Sequence, residues 1–92
     1  LLPADFPKNI YLTFDVDGLD ASLMPATGTP EPGGLTWWQA LDACEAFAKN
    51  RKILGLDVVE LAPRPELHSC SYTAAKLTYA LMGIAARSRQ PA

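Results

Sequence analysis

Tyr11–Thr36, YLTFDVDGLDASLMPATGTPEPGGLT, opens as an apolar run, turns acidic at Asp15, Asp17 and Asp20, and continues as a loop rich in Pro and Gly. Its first part, Asn9 to Asp15, is dominated by β-branched and aromatic residues and reads as a short strand. The near-continuous apolarity points to burial on both faces, as in a parallel sheet. Between Gly18 and Leu35 lie four of the six glycines and three of the eight prolines. A connection this long is usually functional or disordered, and its Gly, Thr and Pro suit tight turns close to a ligand. An apolar strand ending in carboxylates is a common way for an α/β protein to hold a cation.

After this stretch, Thr36 and Gln39 fit a capping box, so a helix is expected to begin there. Trp37, Ala40, Leu41, Cys44, Phe47 and Ala48 fall on one helical face, with Asp42, Glu45 and Lys49 off it. Asn50, Arg51 and Lys52 end the helix with positive charge where its dipole favours it. Ile53 to Leu61, ILGLDVVEL, is a second strand that again runs into a carboxylate, Glu60. Ala62 to Ser71 reads as a loop because of Pro63 and Pro65. From about Tyr72 to Arg87 the pattern is helical. Its apolar stripe (Ala74, Leu77, Leu81, Ile84, Ala85) is widened by Ala75, Tyr79, Met82 and Ala86, so cover on more than one side is expected. The fold class is therefore α/β, in the order β-loop-α-β-α. Two strands cannot close a sheet or cover both its faces.

The totals limit the function classes. Ninety-two residues allow one domain at most, and a chain this short buries only about 60–65% of its unfolded surface. Hydrophobic residues make up 49%, mean hydropathy is +0.04, and the net charge of −2 comes with scattered Lys and Arg. This pattern argues against nucleic-acid or membrane partners, and no apolar run reaches the roughly 18 residues of a membrane span. Cys44 and Cys70 have no CxxC spacing, so unpaired thiols in a reducing, cytoplasmic compartment are expected. No signal-peptide pattern is present. A start at Leu1 with a strand soon after it suggests a piece of something larger.

Asp15 and Asp17 are two apart, so on a continued strand their side chains point the same way. Such a pair can share one cation or bridge two, and oxygen donors suit Mg²⁺, Mn²⁺ or Ca²⁺ better than zinc or copper. The alternative is that Asp15, Asp17 and Asp20 only cap turns. A calcium loop counted from Asp15 would need a bidentate Glu at its twelfth residue, where Ala26 stands. FDVDG also resembles the first motif of haloacid-dehalogenase-type phosphatases. In that family a Thr follows the Gly; here Leu19 does, and Asp57 and Glu60, three apart, do not form its later acidic pair.

The whole run FDVDGLDASLMPATGTPEPGGLT resembles the ureohydrolase family of arginases and agmatinases, whose signature reads roughly SFDxDxLDPxxxPGTGTPExGGLT. GLDVVELAP resembles that family's following strand, and the likeness extends through TAAKLTYALMGIAAR, nearly the whole chain. TPEPGG is closer to the agmatinase-like members. Thr13 stands for the usual Ser, Ala21 for the usual Pro, and Ala26 for the Gly of many agmatinases; none removes a matched functional position.

The resemblance implies a fragment of a three-layer α/β/α fold with a mainly parallel sheet, residues 1–92 being the C-terminal segment of a single domain. It implies a binuclear Mn²⁺ site to which Asp15 contributes a bridging carboxylate and Asp17 a ligand. Water activated there attacks a guanidinium carbon, releasing urea and an amine. Glu60 would accept hydrogen bonds from the small guanidino substrate, Thr29 would line its pocket, and Asp20 would shape the loop. The family's other metal ligands lie in Gly-Gly-Asp-His and Asp-x-His-x-Asp segments that do not occur here. No certain catalytic residue is therefore assigned in this chain, and the chain alone is expected to be inactive. As part of a full-length protein a homo-oligomer is expected. A non-catalytic ureohydrolase-like assembly protein is the other reading. His68 is expected in the loop beyond the second strand, exposed or hydrogen-bonded and not on metal. Trp37 is expected in the core with Trp38 partly exposed beside it, and Lys76, Arg87 and Arg89 on a solvated helix face.

Overall fold

The computed structural model describes residues 2–91. Strand β1 (Asn9–Asp15) leads through a single 3₁₀ turn at Val16–Gly18 into the long loop. Helix α1 (Trp37–Ala48), strand β2 (Lys52–Val59), a second 3₁₀ turn (Pro65–Leu67) and helix α2 (His68–Ser88) follow. β1 and β2 pair in parallel, from Asn9 opposite Lys52 to Asp15 opposite Val59, with a shift in register between Ile10 and Tyr11. The β-loop-α-β-α order is thus the observed one.

Local chemistry explains these elements. The Thr36 hydroxyl accepts from the Gln39 N–H at 3.2 Å, and the Gln39 side chain accepts from the Thr36 N–H at 3.0 Å. That completes the capping box and satisfies two orphan donors of the first turn of α1. Asn50, at φ 60°, turns the chain out of α1, a conformation that Asn tolerates better than most residues. The expected electrostatic ending of the helix does not occur. Arg51 instead lies over the Phe6 ring, 5.7 Å from its centroid, and donates to the Pro3 carbonyl at 3.4 Å.

The core lies on one side of the sheet. Ile10, Leu12 and Phe14 of β1 share a face with Ile53, Leu56 and Val58 of β2. They pack with Ala40 and Cys44 of α1, with Leu77, Leu81 and Ile84 of α2, and with Val16, Leu19, Met24 and Ala26 of the loop. The expectation that β1 is buried on both faces needs correcting. Its residues alternate, and Tyr11, Thr13 and Asp15 on the second face are exposed, because none of the described residues covers them. Tyr72, Tyr79 and Met82 of α2 are likewise exposed. Both cysteines are free and buried, and burial pushes the Cys44 thiol above its ordinary value. Among the described residues no helix is long and apolar enough to cross a membrane.

Two further corrections concern α2. It begins at His68, four residues before the expected start, so His68 is an exposed first-turn residue of a helix and not part of a loop. Arg89 does not lie on a merely solvated face: it donates to the Ile53 carbonyl at 2.9 Å, while the Ile53 N–H donates to the Ser88 hydroxyl at 2.9 Å. Arg87 pairs with Glu45 across the helices at 2.8 Å.

Leu81 is fully buried and Met82, its neighbour on α2, is 56% exposed. Leu81→Ala is expected to destabilise the fold by about 2–5 kcal/mol, through lost transfer energy and a residual cavity. Met82→Ala should stay within about 0.5 kcal/mol. Urea unfolding followed by circular dichroism distinguishes them; equal midpoints would contradict this assignment of the core.

Candidate metal and substrate site

β1 ends at Asp15, whose carboxylate accepts the Asp17 N–H at 3.0 Å and so caps the 3₁₀ turn that follows. Between the two acids sits Val16, fully buried. This anchor pins the turn to the core while Asp15 stays exposed and Asp17 half-buried. The turn-capping role and a ligand role are therefore compatible, since capping occupies only one oxygen of Asp15.

The loop then folds back on the strand end. Thr29 donates its hydroxyl to Asp17 Oδ2 at 2.6 Å, which ties the Gly-Thr-Pro segment directly to the acidic turn. Asp20 organises the rest. One of its oxygens accepts the Ser22 N–H at 2.9 Å and the Ser22 hydroxyl, and the other accepts the N–H groups of Gly33 at 2.8 Å and Gly34 at 3.2 Å. The Ser22 hydroxyl first, then these backbone donors, hold the Asp20 carboxyl below the usual carboxylate range. Backbone bridges at Leu19–Leu35 and Asp20–Glu31 close the loop. Residues 18–35 thus form a compact surface loop with paired ends, of the kind that commonly carries function.

Glu60 lies just beyond β2, whose last residue, Val59, is opposite Asp15. It adopts φ 73°, the left-handed region that non-glycine residues occupy mainly where surrounding structure imposes it. The Ala62 N–H donates to the Ala26 carbonyl at 2.8 Å, tying the exit of β2 to the long loop. Asp15, Asp17, Thr29 and Glu60 therefore all lie at the carboxyl edge of the parallel pair, where open α/β sheets bind ligands. His68 belongs to the far side of the β2–α2 connection, at the start of α2.

The donor set suits a hard cation. Among the described residues, Asp15 Oδ2 and Asp17 Oδ1 receive no hydrogen bond, leaving one free carboxylate oxygen on each acid. Such oxygens match Mn²⁺ or Mg²⁺. Among the described residues no group of three or more His, Cys, Asp and Glu comes together that could hold a metal ion, so Asp15 and Asp17 have no further side-chain donor of these types clustered with them.

Periodicity does not reveal the Thr29–Asp17 bond, which spans twelve residues of irregular chain. Nor does it reveal the paired hydroxyls on one carboxylate at the outer sheet face, where Asp57 accepts from Tyr11 and Thr13. Strict alternation of Tyr11, Thr13 and Asp15 was the available signal, and pairing with β2 was needed to interpret it.

The arginase family model matches residues 3–83. The chain is 42% identical over 86 residues to an agmatinase of Pyrococcus horikoshii, covering 94% of this chain and 30% of that protein. The crystal structure of an agmatine ureohydrolase of Thermoplasma volcanium superposes with a TM-score of 0.72 at 32% identity, over 85% of this chain and 26% of that one. A Trypanosoma cruzi formiminoglutamase, determined with Mn²⁺, gives a TM-score of 0.71 at 30% identity, over 91% of this chain and 28% of its own. The chain spans under a third of the length of these relatives.

Proposed function

The chain belongs to the arginase family, and on that premise we propose that residues 1–92 are the C-terminal segment of a single ureohydrolase domain. The whole protein converts a guanidino substrate and water into urea and an amine. One observation supports this reading above the others: the Thr29 hydroxyl holds Asp17 beside Asp15 at the same sheet edge as Glu60.

Asp15 and Asp17 would hold the Mn²⁺ pair through the oxygens that the fold leaves free. When bound, such a pair activates water for attack on the guanidinium carbon. Thr29 keeps the Asp17 carboxylate from rotating away. Glu60, in the left-handed region just beyond β2, would accept guanidinium N–H groups in the bidentate geometry for which a carboxylate is suited. Asp20 shapes the loop and touches neither substrate nor metal. The remaining ligands come from outside this chain, because two carboxylates cannot complete a two-metal site. A cytoplasmic homo-oligomer is the assembly this reading carries with it.

TPEPGG and the likeness to an agmatinase favour a substrate in which the guanidinium is borne on an amine chain, as in agmatine. The intact protein carrying this segment, supplied with Mn²⁺, should release urea from agmatine faster than from arginine or guanidinobutyrate. Absence of urea from all three would overturn the ureohydrolase reading and favour a non-catalytic role in assembly. The 92-residue chain alone should release none; turnover by it would overturn the segment reading.

A further inference from the structure

The outer sheet face that carries Asp15 also carries a hydrogen-bonded rung two residues earlier. Tyr11, Thr13 and Asp15 alternate onto this face, opposite Gly55, Asp57 and Val59. Asp57 Oδ2 accepts the Tyr11 hydroxyl at 3.0 Å, and Oδ1 accepts the Thr13 hydroxyl. Unlike Asp15 and Asp17, Asp57 has both oxygens occupied. Gly55 makes room for this: a Cβ there would stand 2.9 Å from Cε2 and 3.0 Å from Cδ2 of the Tyr11 ring. Without a side chain at that position, the ring can lie across β2 and its hydroxyl can reach Asp57.

The rung sits immediately after the register shift. Asn9 and Ile10 pair with Lys52 and Ile53, whereas Tyr11 pairs with Gly55, so Leu54 is skipped. Without the shift, Thr13 would oppose Leu56 and Asp15 would oppose Val58. A slip of one residue moves every side chain to the other face. Asp57 would then turn toward the apolar core, and Glu60 would move one residue further from Asp15. In the shifted register Asp57 instead faces outward and accepts both hydroxyls.

We propose that Asp57 is a positioning residue, locking with Tyr11 and Thr13 the shifted register that sets Asp15 opposite Val59, one residue short of Glu60. What is positioned rests on the ureohydrolase reading; the lock itself does not. The Tyr11 phenol, raised above its ordinary value chiefly by its hydrogen bond to Asp57, is consistent with the contact.

In the intact protein carrying this segment, Thr13→Val and Asp57→Asn should speed amide exchange across residues 9–15. They should also lower Mn²⁺ affinity and kcat for urea release by about 10–100-fold, the range of lost outer-shell partners. KM should change less. Thr13→Ser, which keeps the hydroxyl, should restore most of both losses. Tyr11→Phe removes one donor and keeps the ring, so it provides a milder variant should Asp57→Asn fail to fold. Unchanged exchange in Thr13→Val and Tyr11→Phe, or no rescue by Ser, would overturn the lock. Faster exchange in a protein that releases no urea from any guanidino substrate even when unsubstituted would uphold the lock and overturn the ureohydrolase reading.

Discussion

Replacing Asp17 with Asn should lower Mn²⁺ affinity and urea release by more than about 100-fold in the intact protein, with little change in thermal unfolding. Partners that merely orient a metal ligand cost about 10–100-fold when removed, so loss of a ligand's charge should exceed that range. Asn preserves the shape of Asp17 and can still accept the Thr29 hydroxyl, so the loop contact at 2.6 Å survives. What disappears is the negative charge on the oxygen left free for a cation, and a neutral amide oxygen is a poorer partner for Mn²⁺. Stability should hold because the turn is anchored by the fully buried Val16, not by Asp17. Thr29→Val gives the comparison, removing the orienting hydroxyl and keeping the ligand. Its loss should fall within the 10–100-fold range. Mn²⁺ titration followed by electron paramagnetic resonance, together with urea release, separates the two variants. If Asp17→Asn bound Mn²⁺ as tightly as the unsubstituted protein, Asp17 would be a turn cap only.

These two residues also show what a sequence can and cannot reveal. Asp15 and Asp17 were visible as a strand ending in carboxylates, and Thr36 with Gln39 marked the start of α1, because both signals are local. The bond from Thr29 to Asp17 is tertiary, made across a loop with no period, and only the fold reveals it. The start of α2 was hidden for a different reason. Leu67 precedes it with no capping side chain, and Pro65 opens a 3₁₀ turn, where a missing N–H costs nothing. Pro65 therefore reads as loop where the chain is already winding toward a helix, whereas Pro63 does lie in irregular chain. The outer face of β1 misled through composition. Tyr11 and Thr13 suit a buried strand, yet here their hydroxyls turn to Asp57 on a face that the described residues leave open. Likewise, Arg89 fits a solvated helix face by sequence, yet β2 lies alongside, so that Arg89 donates to the Ile53 carbonyl and the Ile53 N–H donates to the neighbouring Ser88 hydroxyl.

Gly34→Ala should be among the most damaging single substitutions in the long loop, because a methyl group there has no space. The added Cβ would lie 2.7 Å from the Leu19 carbonyl carbon and the Asp20 nitrogen, and 2.8 Å from the Leu19 oxygen. All three are backbone atoms in the most constrained part of the loop. The Asp20 N–H donates to the Leu35 carbonyl at 2.8 Å, the Leu35 N–H donates to the Gly18 carbonyl at 2.9 Å, and Leu19 is fully buried. Relief therefore requires breaking these bridges or lifting Leu19 from the core. Overpacking typically costs about 1–3 kcal/mol, and a clash with fixed backbone belongs at or above the upper end. The same movement pulls the Gly33 and Gly34 N–H groups off Asp20, so the carboxylate that joins the two ends of the loop loses half its partners. Acid should act on the same junction. The folded Asp20 titrates below its ordinary value, so its contribution is fully present above the unfolded value of about 3.9. It is lost as pH falls through the lower folded value. Gly28, where a Cβ meets nothing within 4 Å, provides the control, and Gly28→Ala should leave unfolding nearly unchanged. Gly34→Ala should lower the unfolding temperature and speed amide exchange across residues 18–35. With Thr29 no longer held against Asp17, Mn²⁺ affinity should fall in step. Exchange and affinity equal to those of Gly28→Ala would show that the loop is not locked at Asp20 and that the acidic turn holds its shape without it.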